Sequence, residues 1–476
     1  MTGTEAVPGD RGAPGAGRWL GVLREAVRGS KRDFTSGSIG LALVLLAVPM
    51  VLETLLESLF AVVDIFFVAH LGADAIATVG LTETMMALIY SVAMGLAIGA
   101  TAVVARRIGE KHQDAASHAA AQAILLGILV SLPIATFGVA FAPQLLAFLG
   151  GSPAVQASGA GYTRVMLGGN AAVVLLFLIN AVFRGAGDAA ISMRSLWLAS
   201  TCNMILGPLF IFGVGPFPRL GVTGAAVGTT IGRSIGVLYQ LSQLRRRDGR
   251  ILIRRGHFPL DPGLMTQLLR LSGSGIFQIL VGTTSWIGLI RVIAAFGSNV
   301  LAGYTIGIRV VIFALLPSWG LSNAAATLVG QNLGARQPER AARSAWLAGF
   351  YNMWVLGAIG VVFVVLARPI IGIFTHDPAI APWGISCLRV VSAGFVFYAY
   401  GMVLSNAFNG AGDTWTPTWL NLGCFWLWEV PLAWYLSGRP SLGPSGVFIA
   451  INVAFSTYAL FSAWLFRRGR WQSRAV

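Results

Sequence analysis

From Ile39 onward, apolar stretches of about 20 or more residues recur along this chain, separated by short polar segments. Each is long enough to cross a hydrocarbon core of roughly 30 Å as a helix. The pattern predicts twelve spans: 39–69, 76–105, 117–147, 160–182, 190–214, 222–244, 264–296, 300–330, 342–367, 383–407, 416–437 and 445–466. The alternation of a membrane β-barrel is absent. An all-α polytopic membrane protein is therefore expected. Residues 1–38 differ, with a Gly/Pro-rich run (GDRGAPGAGR) before a short amphipathic stretch around Trp19–Val27. They read as a disordered leader and then a helix on the membrane surface, and neither the apolar core nor the cleavage site of a signal peptide is visible.

Composition agrees with the pattern. Of 476 residues, 56% are hydrophobic and only 11% charged, against about a quarter charged in soluble domains. The net charge of +15 could suit nucleic acid, but its placement points to topology instead. Counting from a cytoplasmic N-terminus, the tail holds six Lys/Arg. The even-numbered loops add Arg106, Arg107 and Lys111; Arg184 and Arg194; Arg245–Arg247, Arg250, Arg254 and Arg255; and Arg336, Arg340 and Arg343. The C-terminal tail carries Arg467, Arg468, Arg470 and Arg474, while the alternate loops hold only Arg219, Arg368 and Arg439. This bias puts both termini in the cytoplasm, in a cell (inner) membrane protein with no nucleic-acid partner. Cys202, Cys387 and Cys424 fall inside spans, so neither disulfides nor a zinc site is expected.

The chain also repeats itself. FRGAGD at Phe183–Asp188 returns as FNGAGD at Phe408–Asp413. Gly72 pairs with Gly297, Gly109 with Gly334, Arg164 with Arg389 and Asp188 with Asp413, all offset by 225 residues. Pro208 matches Pro431 at 223, and RLGVTGA matches SLGPSGV at 222. Two six-helix halves follow, and an even number of spans in each makes them parallel repeats about the membrane normal. The expected organisation is a leader at 1–38, an N-lobe at 39–244, a basic linker at 245–263, a C-lobe at 264–466 and a tail at 467–476. The GAGD turns read as structural, with glycines for the tight turn and Asp188 and Asp413 as caps of the next helices.

Ionisable groups within spans are costly and usually functional. Five carboxylates fall there: Glu53, Glu57, Asp64, Glu83 and Glu429. Glu53, Glu57 and Asp64 point within roughly 40° of one another over about 16 Å of the first helix. Such a stripe should face the lobe interior or a cavity, where interhelical hydrogen bonds could satisfy it without any transport role. Glu429 reads either as the partner of Arg291 or Arg309, or as a contact for a cationic substrate.

LLESLFAVVDIFFVAHLG at the first span, the paired GAGD turns and CNMILGPLFIFGVGPFPRLGVTGAAVGT resemble the multidrug and toxic compound extrusion (MATE) family, from about Ser38 to the C-terminus. The resemblance implies two lobes forming a V around a central cavity, and export of amphipathic, cationic organic compounds in exchange for protons or sodium. By place, Asp64 matches the first-helix aspartate of the proton-coupled archaeal and bacterial branch. Asn203 matches that branch's fifth-helix asparagine, and Thr229 its sixth-helix hydroxyl. Gly207 stands where the branch has a second aspartate, which weakens a sodium site, because a hard cation wants several oxygen ligands; Glu57 or Glu83 could replace it. Leu289 is the equivalent of Asp64 in the second half, and Gly282 and Tyr398 stand where another branch keeps C-lobe acids.

Cation coupling is thus expected in the N-lobe at Asp64, Asn203, Thr229 and Glu57, with Glu53, Glu83 and Glu429 as cavity candidates. No cofactor or metal is expected beyond the coupling proton, with sodium as the alternative. The expected partners are small amphipathic substrates and membrane lipids, for a monomer. A lipid-linked precursor flippase of the same superfamily is the alternative reading. An enzyme is not expected, because no nucleophile–base or metal constellation appears.

Overall fold

The computed structural model describes residues 16–474, except for the side chains of residues 16–18, 61, 62, 64, 65 and 69. Residues 1–15, which belong to the expected disordered part of the 1–38 leader, and residues 475–476 lie outside the described residues. A surface helix, α1 (Ala16–Arg28), leaves Trp19, Leu20, Leu23 and Val27 exposed while Ala26 is buried. An uncovered apolar face of this kind suits a helix lying on a membrane.

Two sets of six spans follow. The N-lobe comprises α2 (Ile39–Ala69), α3 (Ala73–Gly109), α4 (Gln113–Phe148), a fourth span divided into α5 (Pro153–Gly168) and α6 (Asn170–Ala186), α7 (Ala189–Phe212) and α8 (Val222–Gln243). The C-lobe opens with α9 (Pro262–Ala294), α10 (Ser298–Gly334), α11 (Pro338–Val365) and the short α12 (Ala367–Gly372). Its tenth span is α13 (Ala381–Ala393) and α14 (Phe395–Gly410), bent by 58° at their junction. The eleventh runs from α15 (Trp415–Asn421) through a π-helical segment, Leu422–Glu429, into α16 (Val430–Ser437), and α17 (Ser445–Arg467) is the twelfth. Among the described residues nine spans, and the bent α13–α14 pair as a tenth, are each long and apolar enough to cross a membrane; α8 and the segmented eleventh span fall short of that measure. The fourth and tenth spans are longer than their apolar runs and both break at a glycine, Gly169 and Gly394. An added Cβ there would meet Thr230 Cγ2 at 2.5 Å and Asn452 Oδ1 at 2.3 Å, so a neighbouring helix leaves no room for a side chain.

The backbone repeats where the sequence does. Gly72 (φ 95°) and Gly297 (φ 96°) open α3 and α10 in a conformation that L side chains rarely adopt. Lys111 (φ 63°) and Arg336 (φ 57°), also 225 apart, share a left-handed conformation that is uncommon outside glycine. Where the lobes meet, a Cβ on Gly109 would lie 1.9 Å from Gln331 O, and one on Gly334 would lie 2.1 Å from Arg106 O. The ends of α3 and α10 therefore cross backbone against backbone. Farther along, Gly95 of α3 packs on Ile276 of α9 and Gly320 of α10 on Val51 of α2, the same contact made twice with the lobes exchanged.

The GAGD turns keep their left-handed glycines, Gly187 (φ 89°) and Gly412 (φ 85°), but the capping expectation is corrected. Asp188 makes no side-chain cap and instead pairs with Arg250 at 3.3 Å. Asp413 accepts from Thr416 Oγ1 at 2.7 Å and pairs with Arg474 at 3.5 Å. In both turns the carboxylate thus pairs with an arginine distant in the chain instead of capping the next helix.

On the face carrying both described ends, residues 30–37 form a strap across the two lobes. Arg250 donates to Ser30 O (3.0 Å), Arg32 O (2.6 Å) and Ala186 O (3.0 Å), with its guanidinium 5.0 Å from the buried Phe34 ring. Lys111 of the N-lobe pairs with Asp33. Arg340 of the C-lobe donates to Gly37 O (3.0 Å) and Ser36 O (2.9 Å).

Candidate functional site

The first-helix carboxylates lie in two different environments. Glu53 is buried, and its Oε1 accepts from Asn180 Nδ2 and Arg184 Nη1, each at 3.0 Å. Asn180 Oδ1 accepts from Ser195 Oγ (2.8 Å) and Gln240 Nε2 (2.6 Å), so one polar network ties α2, α6, α7 and α8 together. One turn on, Glu57 is half-buried and makes no hydrogen bond or ion pair. It faces a narrow, partly open cleft that is also lined by Phe60, Phe177, Ser200, Asn203 and Arg233.

Asn203 of α7 and Thr229 of α8 are brought together. Both are buried, and Asn203 Nδ2 donates to Thr229 Oγ1 at 2.6 Å. Small residues permit this approach. A Cβ on Gly228 would lie 2.8 Å from Gly207 N, and one on Gly232 would lie 2.6 Å from Ala199 O. At Gly207, by contrast, an added Cβ would meet only Asn203 Oδ1 at 3.4 Å. The missing second carboxylate thus leaves room beside Asn203.

Asp64 lies on α2 two turns beyond Glu57, and its side chain is outside the described residues. Glu83 is exposed on α3. Glu429 is buried at the last position of the π-helical segment and makes no ion pair; Arg291 and Arg309, its expected partners, are both exposed. Tyr304 and Tyr398, both aromatic neighbours in the C-lobe, lie close enough to feel its charge.

A sequence reading confined to carboxylates misses two arginines. Arg184, assigned to a loop, turns inward to Glu53. Arg233 stands in TTIGRSIGV, an arginine inside a span, and that alone was signal enough. Its Nη2 donates to Tyr90 Oη at 2.8 Å, with the guanidinium carbon 5.6 Å from the ring centroid. Its Nη1 is shielded from solvent and has no acceptor.

The MatE family model matches twice, at residues 49–209 and 276–435. The chain belongs to the MatE family. It is 26% identical to the probable multidrug resistance protein NorM of Thermotoga maritima, over 91% of this chain and 93% of the relative. It is 25% identical to a protein of Shewanella oneidensis named FAD transporter, over 89% of this chain and 93% of the relative. Among solved structures, an outward-facing multidrug resistance MATE family transporter of the MOP superfamily superposes with a TM-score of 0.86 at 25% identity, covering 93% of this chain and 98% of that one. A MatE protein is a membrane transporter, and the two matched segments fall one in each six-helix half.

Proposed function

We propose that this MatE transporter exports amphipathic organic compounds in exchange for protons, by alternating access, with coupling in the N-lobe at Asp64, Glu57, Asn203 and Thr229. The observation that carries this reading is the N-lobe cleft, where Glu57 has no fixed partner and faces the buried Asn203–Thr229 pair. A carboxyl free of any ion pair can take up and release a proton without breaking a salt bridge. Asp64 on the same helix adds a second carboxyl by resemblance, and a change of charge there is the local event that α2, interrupted by Pro49, would convert into movement. Both termini lie in the cytoplasm, and the strap closes the cytoplasmic side. The protein works as a monomer among membrane lipids, without a bound cofactor.

Transport in proteoliposomes, with a pH gradient and a sodium gradient imposed separately, tests the reading. A pH gradient should drive export in the parent protein. Asp64→Asn should abolish it, and Glu429→Gln should leave it largely intact. Export by Asp64→Asn equal to that of the parent overturns the mechanism, and a response to sodium alone makes sodium the coupling ion. The flippase reading gains some support from the arginines of the N-lobe, which offset its carboxylates. It predicts no gradient-driven drug export at all.

A further inference from the structure

Arg233 is a permanent charge in the middle of a span. Its one hydrogen bond goes to a neutral phenol, and the ring of Tyr90 beneath it supplies only a cation–π contact. Glu57 and Glu83 are near enough to feel its charge, yet neither comes within ion-pair distance. That leaves Nη1 as an orphaned charged donor, shielded from water, on a side chain that lines the N-lobe cleft. A guanidinium in this position is expensive unless an anion completes it. In an ion pair that merely neutralised the lobe, Glu57 would reach Nη1, as Arg184 reaches Glu53 at 3.0 Å one turn away. The same lobe therefore contains one closed pair and one left open.

We propose that Arg233 is a specificity-determining residue that receives an acidic group of the transported molecule, so that the cleft selects amphiphiles bearing a carboxylate. The planar fork of arginine suits a carboxylate, which can bridge its two terminal nitrogens. Phe60 and Phe177, on two different helices, offer aromatic surface for an apolar body, and Glu57 faces the same space for an ammonium on the same molecule. The preferred class is thus zwitterionic rather than simply cationic. This inference rests on the transport reading above and narrows its substrate class.

The test uses the full-length protein in nanodiscs of zwitterionic lipid. The probes are rhodamine B, which carries a carboxylate, and its ethyl ester, which does not, with binding read by fluorescence polarisation. Arg233→Gln should weaken rhodamine B roughly tenfold to a hundredfold, as expected for losing a charge-assisted hydrogen bond. The ester should change by less than about twofold. Arg233→Lys, which keeps the charge and loses the fork, should fall between, and it carries the test if Arg233→Gln does not fold. Equal weakening of both dyes, no weakening of either, or no binding of rhodamine B by the parent overturns the proposal. Gradient-driven export of both dyes is measured in parallel. Export of either dye without discrimination at Arg233 sinks this inference alone, whereas discrimination in binding with export of neither dye sinks the transport reading alone.

Discussion

Replacing Arg340 by alanine should loosen the face of the molecule that carries the strap. Arg340 donates to Gly37 O at 3.0 Å, to Ser36 O at 2.9 Å and, more weakly, to Phe34 O at 3.4 Å. These bonds fasten the strap to the C-lobe, while Lys111 and Arg250 fasten it on the other side. A hydrogen bond from a charged donor contributes about 1.5–3 kcal/mol when buried. Arg340 is half-buried, so screening and the return of water to the carbonyls reduce each good bond to about 1 kcal/mol. Two such bonds give about 2 kcal/mol, a shift of roughly thirtyfold in the ratio of closed to open forms at this face. Spin labels at His112 and Glu339, one on each lobe and both exposed, would report that ratio by double electron–electron resonance, at a pH where the parent populates both forms. The longer distances should gain population in Arg340→Ala, with a smaller gain in Arg340→Lys. A distribution unchanged within about twofold would refute the idea that the strap holds this face shut.

Other outcomes follow from the same structure. Lys111 and Thr35 hold the Asp33 carboxyl well below its usual range, at about 2; the strap should keep this contribution above about pH 4 and lose it as the pH falls toward 2, by about 1 kcal/mol after discounting for exposure. Cleavage of the strap by pepsin, corrected for the protease's own pH profile on an unfolded substrate, should accelerate over that window, and a corrected rate flat with pH would count against it. Gly109→Ala places a Cβ 1.9 Å from Gln331 O, so it should lower thermal stability by several kcal/mol in a size-exclusion melt, whereas Gly80→Ala, which meets nothing within 4 Å, should be tolerated. Arg184→Met should cost about 3–5 kcal/mol by leaving Glu53 buried and unpaired, and Glu53→Met in the same chain should recover much of it; a double variant no more stable than the single would contradict the pairing.

What was legible in the sequence is what the backbone demands locally. A glycine at φ near 95° or a helix crossing at backbone contact tolerates few substitutes, so Gly72, Gly109 and their partners 225 residues on display the repeat directly. Apolar length likewise gave the spans. It did not give the breaks at Gly169 and Gly394, because apolar runs continue through them and only the neighbouring Thr230 and Asn452 reveal the crowding. The site was half legible. Asn203 and Thr229 meet because the glycines of α8 let it approach α7 closely. The fates of Asp188 and Arg184 depended on side chains far away in the chain, which no local pattern records.

The two halves agree in backbone and differ in charge, and the manner of the difference is physical. At an offset of 225, Glu53 becomes Gln278 and Arg184 becomes Asn409, so the buried ion pair is replaced as a unit by two amides. Neutralising only one member would strand a buried charge, which is the costly case. Glu57, Asp64, Glu83 and Tyr90 become Gly282, Leu289, Ile308 and Leu315. The C-lobe therefore repeats the N-lobe's scaffold without its ionic cleft. The amides it keeps are imperfectly served, since Gln278 Oε1 and Asn409 Oδ1 have no partners. Glu429 is its own buried acid, placed by a π-helical segment that α7 lacks. A rocking motion needs two matched lobes, but a proton or an acidic group needs only one place to bind. Symmetric crossings at Gly109 and Gly334 with an asymmetric set of charges meet both requirements; under the two proposals above, the driving ion and the acidic end of the substrate act on the same half, around Glu57 and Arg233.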